Sequence, residues 1–191
     1  MHSSDAEFIK HGHGKFGPWF DLVNSEEWDT YGHRADHFEN PAWLPFFLRR
    51  WNFRKPGRLP FPAAQWRKVR TAIRHVSEAA ARQKPISSAD IQALNQALKV
   101  SGYRRLWQRQ NGLQLEFVSE VSGWRWILAE TVRSFADILS RGDPARIKIC
   151  RNPGCRWIFY DQTKAKTRCW CDDRICGNRE RVRQARARAS S

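Results

Sequence analysis

Apolar positions along the chain follow two rhythms, one of three and four residues and one of two, and each rhythm predicts a different element. FGPWFDLVNSEEW predicts a first helix that buries Trp19, Phe20 and Val23 and leaves Asp21 and Asn24 for polar contacts. NPAWLPFFLRRW predicts a short second helix whose Pro41 and Pro45 fall in the opening turns, where proline is tolerated. RKPGRLPFP reads as a loop. From Ala63 to Gln83, Trp66, Val69, Ile73, Val76 and Ala80 make one amphipathic stripe. After the break at Pro85, Ser87 and Asp90 form a capping-box signal, and Ile91, Leu94 and Leu98 form the next stripe.

The rhythm then shortens. Leu113, Leu115 and Phe117 alternate with polar residues, and Asn111–Gly112 is a two-residue turn signal, so YRRLWQRQNGLQLEFV predicts a β-hairpin. A last long helix begins near Trp124, carries Ile127, Leu128, Phe135, Ile138 and Leu139, and stops at Arg141-Gly142-Asp143-Pro144, the clearest boundary in the chain. Residues 1–15 are polar and rich in Gly and His and read as a flexible terminus. Its His11 and His13 lack an ordered frame for a metal.

Charge changes the picture. The 191 residues carry 34 Lys and Arg against 19 Asp and Glu, a formal +15, which favours a polyanionic partner: nucleic acid first, an anionic membrane surface second. Most of the cations are arginine, which forks onto phosphate. No run near the start suits a secretory signal, and no stretch reaches the roughly 20 apolar residues of a membrane span. The five cysteines are odd in number and all lie after residue 149, a usage that suits a reducing cytoplasm and metal binding rather than a disulfide framework.

Those cysteines carry the chemistry. Cys150 and Cys155 bracket a turn-forming quartet, fifteen residues follow, and Cys171 and Cys176 bracket four more. Two turns of two thiolates each can close a tetrahedron around one structural zinc ion, with no open position for catalysis. Cys169 competes with Cys171 for the third ligand; the matched brackets favour Cys171. RWIFYDQTKAKTRCW between the brackets reads as two short strands, with Trp157, Phe159 and Trp170 as covers for the metal and Lys164 and Lys166 at an exposed tip. Asp172 and Asp173 stand at the start of a helix, where acidic groups cap free amides. The fold class is therefore mainly α with a small β component: a helical domain with one hairpin over 16–143, and a zinc module of short hairpin and helix over 144–191.

The run RCWCDDRICGNRER resembles the CGNR zinc-finger family through Cys176-Gly177-Asn178-Arg179. FDLVNS (Phe20 to Ser25) resembles the D-F-V-N-T motif of the ABATE domain that precedes such fingers, and Leu94 to Leu98 resembles a later helix of it. Leu22, Ser25 and Cys169 depart from the family pattern. The resemblance implies a non-ligating Cys169 and a zinc-binding transcription regulator.

On a helix over 173–188, Arg179, Arg183 and Arg186 form one stripe and Arg174, Arg181 and Arg188 a second, flanking a seam of Ile175, Val182, Ala185 and Ala189 expected to rest on the finger's hairpin. Residues 146–188 hold thirteen Lys or Arg against four Asp or Glu, a formal +9. Lys164, Lys166, Arg168, Arg174, Arg179, Arg181, Arg183 and Arg186 are the expected nucleic-acid contacts, and Asn178 is expected to bond the finger's own backbone. DNA is favoured over RNA as partner; a protein-interaction module with solvated arginines is the reading from another class. No catalytic motif is present, so no enzyme activity is expected. The aromatic N-terminal domain suggests a small-molecule effector, with Asn24, Trp28 and Arg49 as candidate pocket residues among Trp19, Trp43 and Trp66. His33, His37 and His75 read as surface or core residues, and no heptad seam supports a particular oligomeric state.

Overall fold

The computed structural model describes Phe8 and residues 16–29, 33–110 and 112–189. Within them the chain forms α1 (Pro18–Val23), β1 (Glu26–Trp28), β2 (Arg34–Asp36), α2 (Trp43–Arg50), α3 (Ala63–Ala81), α4 (Ser88–Leu98), β3 (Gly102–Arg109), β4 (Gly112–Ser119), α5 (Gly123–Ser140), β5 (Ile147–Ile149), β6 (Ile158–Tyr160) and α6 (Asn178–Ala189). The fold is mainly α with three separate two-stranded antiparallel sheets, β1–β2, β3–β4 and β5–β6. None of the described helices is long and apolar enough to cross a membrane.

α3 is the axis of the assembly. Its stripe of Trp66, Val69, Ile73 and Val76 is buried as the periodicity predicts, and α1, α4, α5 and β5 pack around it. Trp19 on α1 meets Phe135 on α5 with ring centroids 4.9 Å apart, and Trp66 meets Trp124 edge to face at 6.2 Å. Burying such rings supplies most of the drive for packing short helices. The apolar core continues without a break into the C-terminal module, where it takes in Ile147, Ile158, Phe159 and four cysteines.

Several expectations need correction. The first helix ends at Val23; Asn24 turns the chain, and Glu26–Trp28 becomes a strand paired with Arg34–Asp36. Ile91 is 36 % exposed, because Leu94 and Ala97 centre the buried side of α4 and Ile91 falls at its margin. Ser87 caps α4 by accepting the Ala89 amide at 3.2 Å, but Asp90 turns to His75 Nδ1 at 3.1 Å instead of closing the box. The β3–β4 register pairs Arg109 with Gly112, so Gly112, with its positive φ (113°), is the first residue of β4 and not part of the turn. Leu113, Leu115 and Phe117 do share one face, and that face is exposed.

His11, His13 and Asn111 lie outside the described residues. Phe8 does not fit a flexible terminus: it is buried, tilted on Phe46 at 5.0 Å and edge-on to His37 at 5.2 Å. His37 also lies 3.6 Å from Glu27, and His33 pairs with Asp29 at 2.8 Å.

A candidate metal centre and the helix it carries

The C-terminal module is small, so its order depends on a few exact placements. β5 and β6 pair through Ile147–Tyr160, Lys148–Phe159 and Ile149–Ile158. The strand over 158–160 was expected, but its partner lies before Cys150 and not after residue 161; the segment leading to Cys171 is irregular. Asp161 explains why. This fully buried carboxylate accepts the Thr163 amide (2.9 Å), the Thr163 hydroxyl (2.7 Å) and the Arg168 amide (2.9 Å), which folds the chain into a loop and leaves it no ladder. Burial pushes its pKa up, yet those donors outweigh burial and hold it below the ordinary carboxylate value.

β5 runs directly into Cys150, whose amide donates to Trp157 O at 2.9 Å. Cys155 closes the first turn with its amide on Asn152 O at 3.0 Å. On the other side, Arg151 N donates to Cys169 O at 3.0 Å, which ties the irregular approach to Cys171 to the first turn. Asp172 then caps the next turn, accepting the Arg174 and Ile175 amides at 2.8 and 3.3 Å. That turn, Asp173–Gly177, is a wide π-type turn that brings Cys176 back towards Cys171. Gly177 is closely approached there: a Cβ would stand 2.3 Å from Asp173 Oδ1, the end of an exposed side chain that can swing away, and 3.0 Å from Trp170.

The result is a cage. The sulfurs of Cys150, Cys155, Cys171 and Cys176 all lie within 4.8 Å of one another, and all four residues are buried. Cys155 and Cys171 are 3.5 Å apart, Cys171 and Cys176 3.7 Å. A tetrahedron with zinc–sulfur bonds of about 2.3 Å has edges of about 3.8 Å, so the donor set fits one zinc ion with no open position. Among the sulfurs themselves, hydrogen bonds from Cys155, Cys171 and Cys176 depress the Cys150 thiol, and the Cys150 sulfur in turn raises Cys155 and Cys171. Four adjacent thiolates cannot coexist in a buried site without a cation; a divalent ion removes the conflict. Cys169 stands apart, more exposed than the four and bonded to Thr167 O at 3.3 Å. Trp157 and Phe159 are buried and Trp170 is half-buried.

The comparisons agree with this geometry. A CGNR zinc-finger model matches residues 146–189, and the ABATE model, described as "Putative stress-induced transcription regulator", matches residues 17–142. The chain belongs to the ABATE family. The ABATE domain stands N-terminal to the CGNR finger, as the resemblance implied. A search of curated proteins gives no match.

The motif that suggested the ABATE domain joins it to the finger. Asn24 Nδ2 donates to Ile158 O and Ile158 N donates to Asn24 Oδ1, both at 3.0 Å. Buried Arg74 on α3 donates to Val23 O (2.8 Å), Glu26 O (3.1 Å) and Arg156 O (3.1 Å), and burial lowers its pKa to about 10. Arg156 holds a left-handed φ of 51° between Cys155 and Trp157. Its guanidinium and that of Arg74 lie 4.4 and 5.0 Å from the Trp28 ring centroid. Asn24 and Trp28 are therefore both engaged at the joint. Of the three pocket candidates, Arg49 lines a cleft.

Other motif positions are also placed. Asp21 holds Arg50 Nε at 2.8 Å and Trp51 Nε1 at 2.6 Å, and burial raises its pKa to about 6. Ser25 accepts Arg70 NH1 at 3.0 Å, and Arg70 clamps Asp36 through both nitrogens at 2.7 and 3.0 Å. The buried Arg70 and Arg74 were missed from sequence because they lie among the polar positions of an amphipathic pattern.

α6 departs from expectation most clearly. Ile175 and Val182 are each 42 % exposed, and no residue of Asn178–Ala189 is buried. The seam does not rest on the hairpin; the helix extends from the cage and shows arginine on every side. Asn178 is exposed, its amide continuing the helix onto Asp173 O and Ile175 O. Arg181 pairs with Asp173 at 3.1 Å and Arg183 with Glu180 at 2.6 Å, while Arg174, Arg179 and Arg186 are also exposed. Lys164 is exposed, and Lys166 pairs with Asp143 at 2.6 Å. Arg168 is committed elsewhere. Its Nε donates to Trp170 O at 2.8 Å, it donates to Cys171 O, and it lies 4.9 Å from the Phe159 ring. It braces the metal loop.

Proposed function

We propose that the protein is a zinc-stabilised, non-enzymatic, cytoplasmic DNA-binding transcription regulator whose ABATE domain senses a small molecule. The observation that carries this reading is α6: a twelve-residue helix with no buried side chain, rich in arginine and fixed at its start to a cage that can hold zinc. A helix that contributes nothing to the core and keeps its cations in water suits a groove lined with phosphate. Its width suits the major groove, and arginines on opposite sides reach both flanking backbones while others meet guanine edges. Zinc positions the helix and takes no part in recognition; Asp172 and Gly177 set its direction.

Selection of bound sequences from random duplexes tests this directly, with Cys171→Ser as a control that should lose metal and binding together. With about six phosphates neutralised, log affinity should fall against log salt with a slope near −5. Affinity that does not change between low and moderate salt overturns the reading. Preference for single-stranded RNA over duplex moves the function to RNA, and a protein partner retained after nuclease treatment moves it to an interaction module.

A further inference from the structure

Beside α2 lies a cleft of about 710 Å³, within the range of about 300–1,000 Å³ typical of small-molecule sites. Its walls are apolar and rigid. Trp43 stacks on Phe47 at 5.1 Å, Phe38 lies 4.9 Å from Trp43, and Phe61 meets Phe38 edge to face at 5.2 Å. Leu44, Leu48 and Phe53 complete the lining. Asn52, in the left-handed region with φ of 54°, reverses the chain after α2 so that Phe53 N reaches Leu48 O at 2.8 Å. That reversal brings Phe53 and Lys55 to the same cleft as Trp43 and Leu48.

Among the described residues, the charged side chains lining this cleft are of one sign. Arg49 and Lys55 are exposed at it and His37 lines it, whereas no described Asp or Glu does. Asn40 and Asn52 add amides. An apolar slot with two exposed cations at it favours a flat or branched apolar body that bears an anionic group. Arginine presents a planar fork that matches a carboxylate with two parallel hydrogen bonds, and lysine adds a point charge.

We propose that the cleft binds an amphipathic organic carboxylate, its apolar body against Trp43, Phe38 and Phe61 and its carboxylate at Arg49 and Lys55. This rests on the sensing half of the proposed function and is independent of the DNA-binding half. A neutral isostere loses the charge-assisted bonds and binds more weakly.

Titration calorimetry of the full chain with 2-naphthoate and with its neutral analogue 2-naphthamide tests the assignment. One naphthoate should bind per chain, about tenfold or more tighter than the amide. Arg49→Gln with Lys55→Gln should erase that preference while leaving the affinity for 2-naphthamide unchanged, which shows that the cleft is intact. Leu44→Trp, which fills the cleft, should abolish binding of both compounds. Equal binding of acid and amide overturns the anion assignment and leaves a sensing pocket in place. A preference that survives in the double variant puts the anion elsewhere and also overturns it. Failure of both compounds to bind overturns this inference and the sensing role together, whatever the duplex selection gives.

Discussion

Asn24 takes both backbone hydrogen-bonding groups of Ile158, so one side-chain amide in the N-terminal domain serves as the neighbouring strand for the finger's β6. Ile158 is three residues beyond the ligand Cys155. Asn24→Ala leaves a buried N–H and a buried C=O unsatisfied, at a cost of about 1–3 kcal/mol each. Urea unfolding should show a large loss of stability, and amide exchange at Ile158 should accelerate more than exchange along α5.

The cage makes a sharp distinction between neighbours. Cys171→Ser should abolish stoichiometric zinc by elemental analysis, whereas Cys169→Ser should retain it, since Cys169 bonds Thr167 O and lies outside the cluster. Because structural zinc binding and folding are coupled, a chelator should release the β5–β6 pair. Zinc retained in Cys171→Ser and lost in Cys169→Ser would reassign the ligand.

Asp36 couples stability to acid. Burial pushes its pKa up, but hydrogen bonds from Arg70 and Arg67 and from the Phe38 amide outweigh burial and place it well below the ordinary value of 3.8. The folded carboxyl is thus the stronger acid. Its stabilisation is full above the unfolded value near 3.8 and is lost as pH falls below that. Asp36→Asn should flatten the acid limb of the stability curve and, by leaving Arg70 buried without its counter-ion, cost about 3–5 kcal/mol at neutral pH. Denaturant titrations from pH 3 to pH 7 compare the two proteins.

α6 separates binding from folding. Replacing Arg179, Arg183 and Arg186 by Gln should leave the thermal transition unchanged, since none of the three is buried. The salt slope of DNA binding should become shallower by about three contacts' worth, near 2.7. A shift in Tm of the order expected for a core lesion would show that these arginines hold the fold.

Periodicity was enough to place α2, α3, α4 and α5, because each buries one stripe against a neighbour, and spacing was enough to choose the four ligands. It did not reveal where those stripes end. Ser25 to Trp28 follow α1 in the helical pattern, yet Ser25 is held by Arg70 and the backbone of Val23 and Glu26 by Arg74, contacts made 45 or more residues away. The partner of β6 was misread for a similar reason: Asp161, a single buried carboxylate, ties up the donors that a second strand would have used. That Asn24 and Trp28 engage the finger was not legible either, because aromatic and amide side chains look alike in sequence whether they line a cleft or bridge two modules.

The helix of arginines also has a thermodynamic character of its own. Nothing in the core supports it, and its like charges repel along their length. Its helical content is therefore set by its surroundings: dilute buffer should loosen it and added electrolyte should firm it. Contact with a polyanion should tighten it most, so part of the favourable energy of that contact goes into ordering the reader itself.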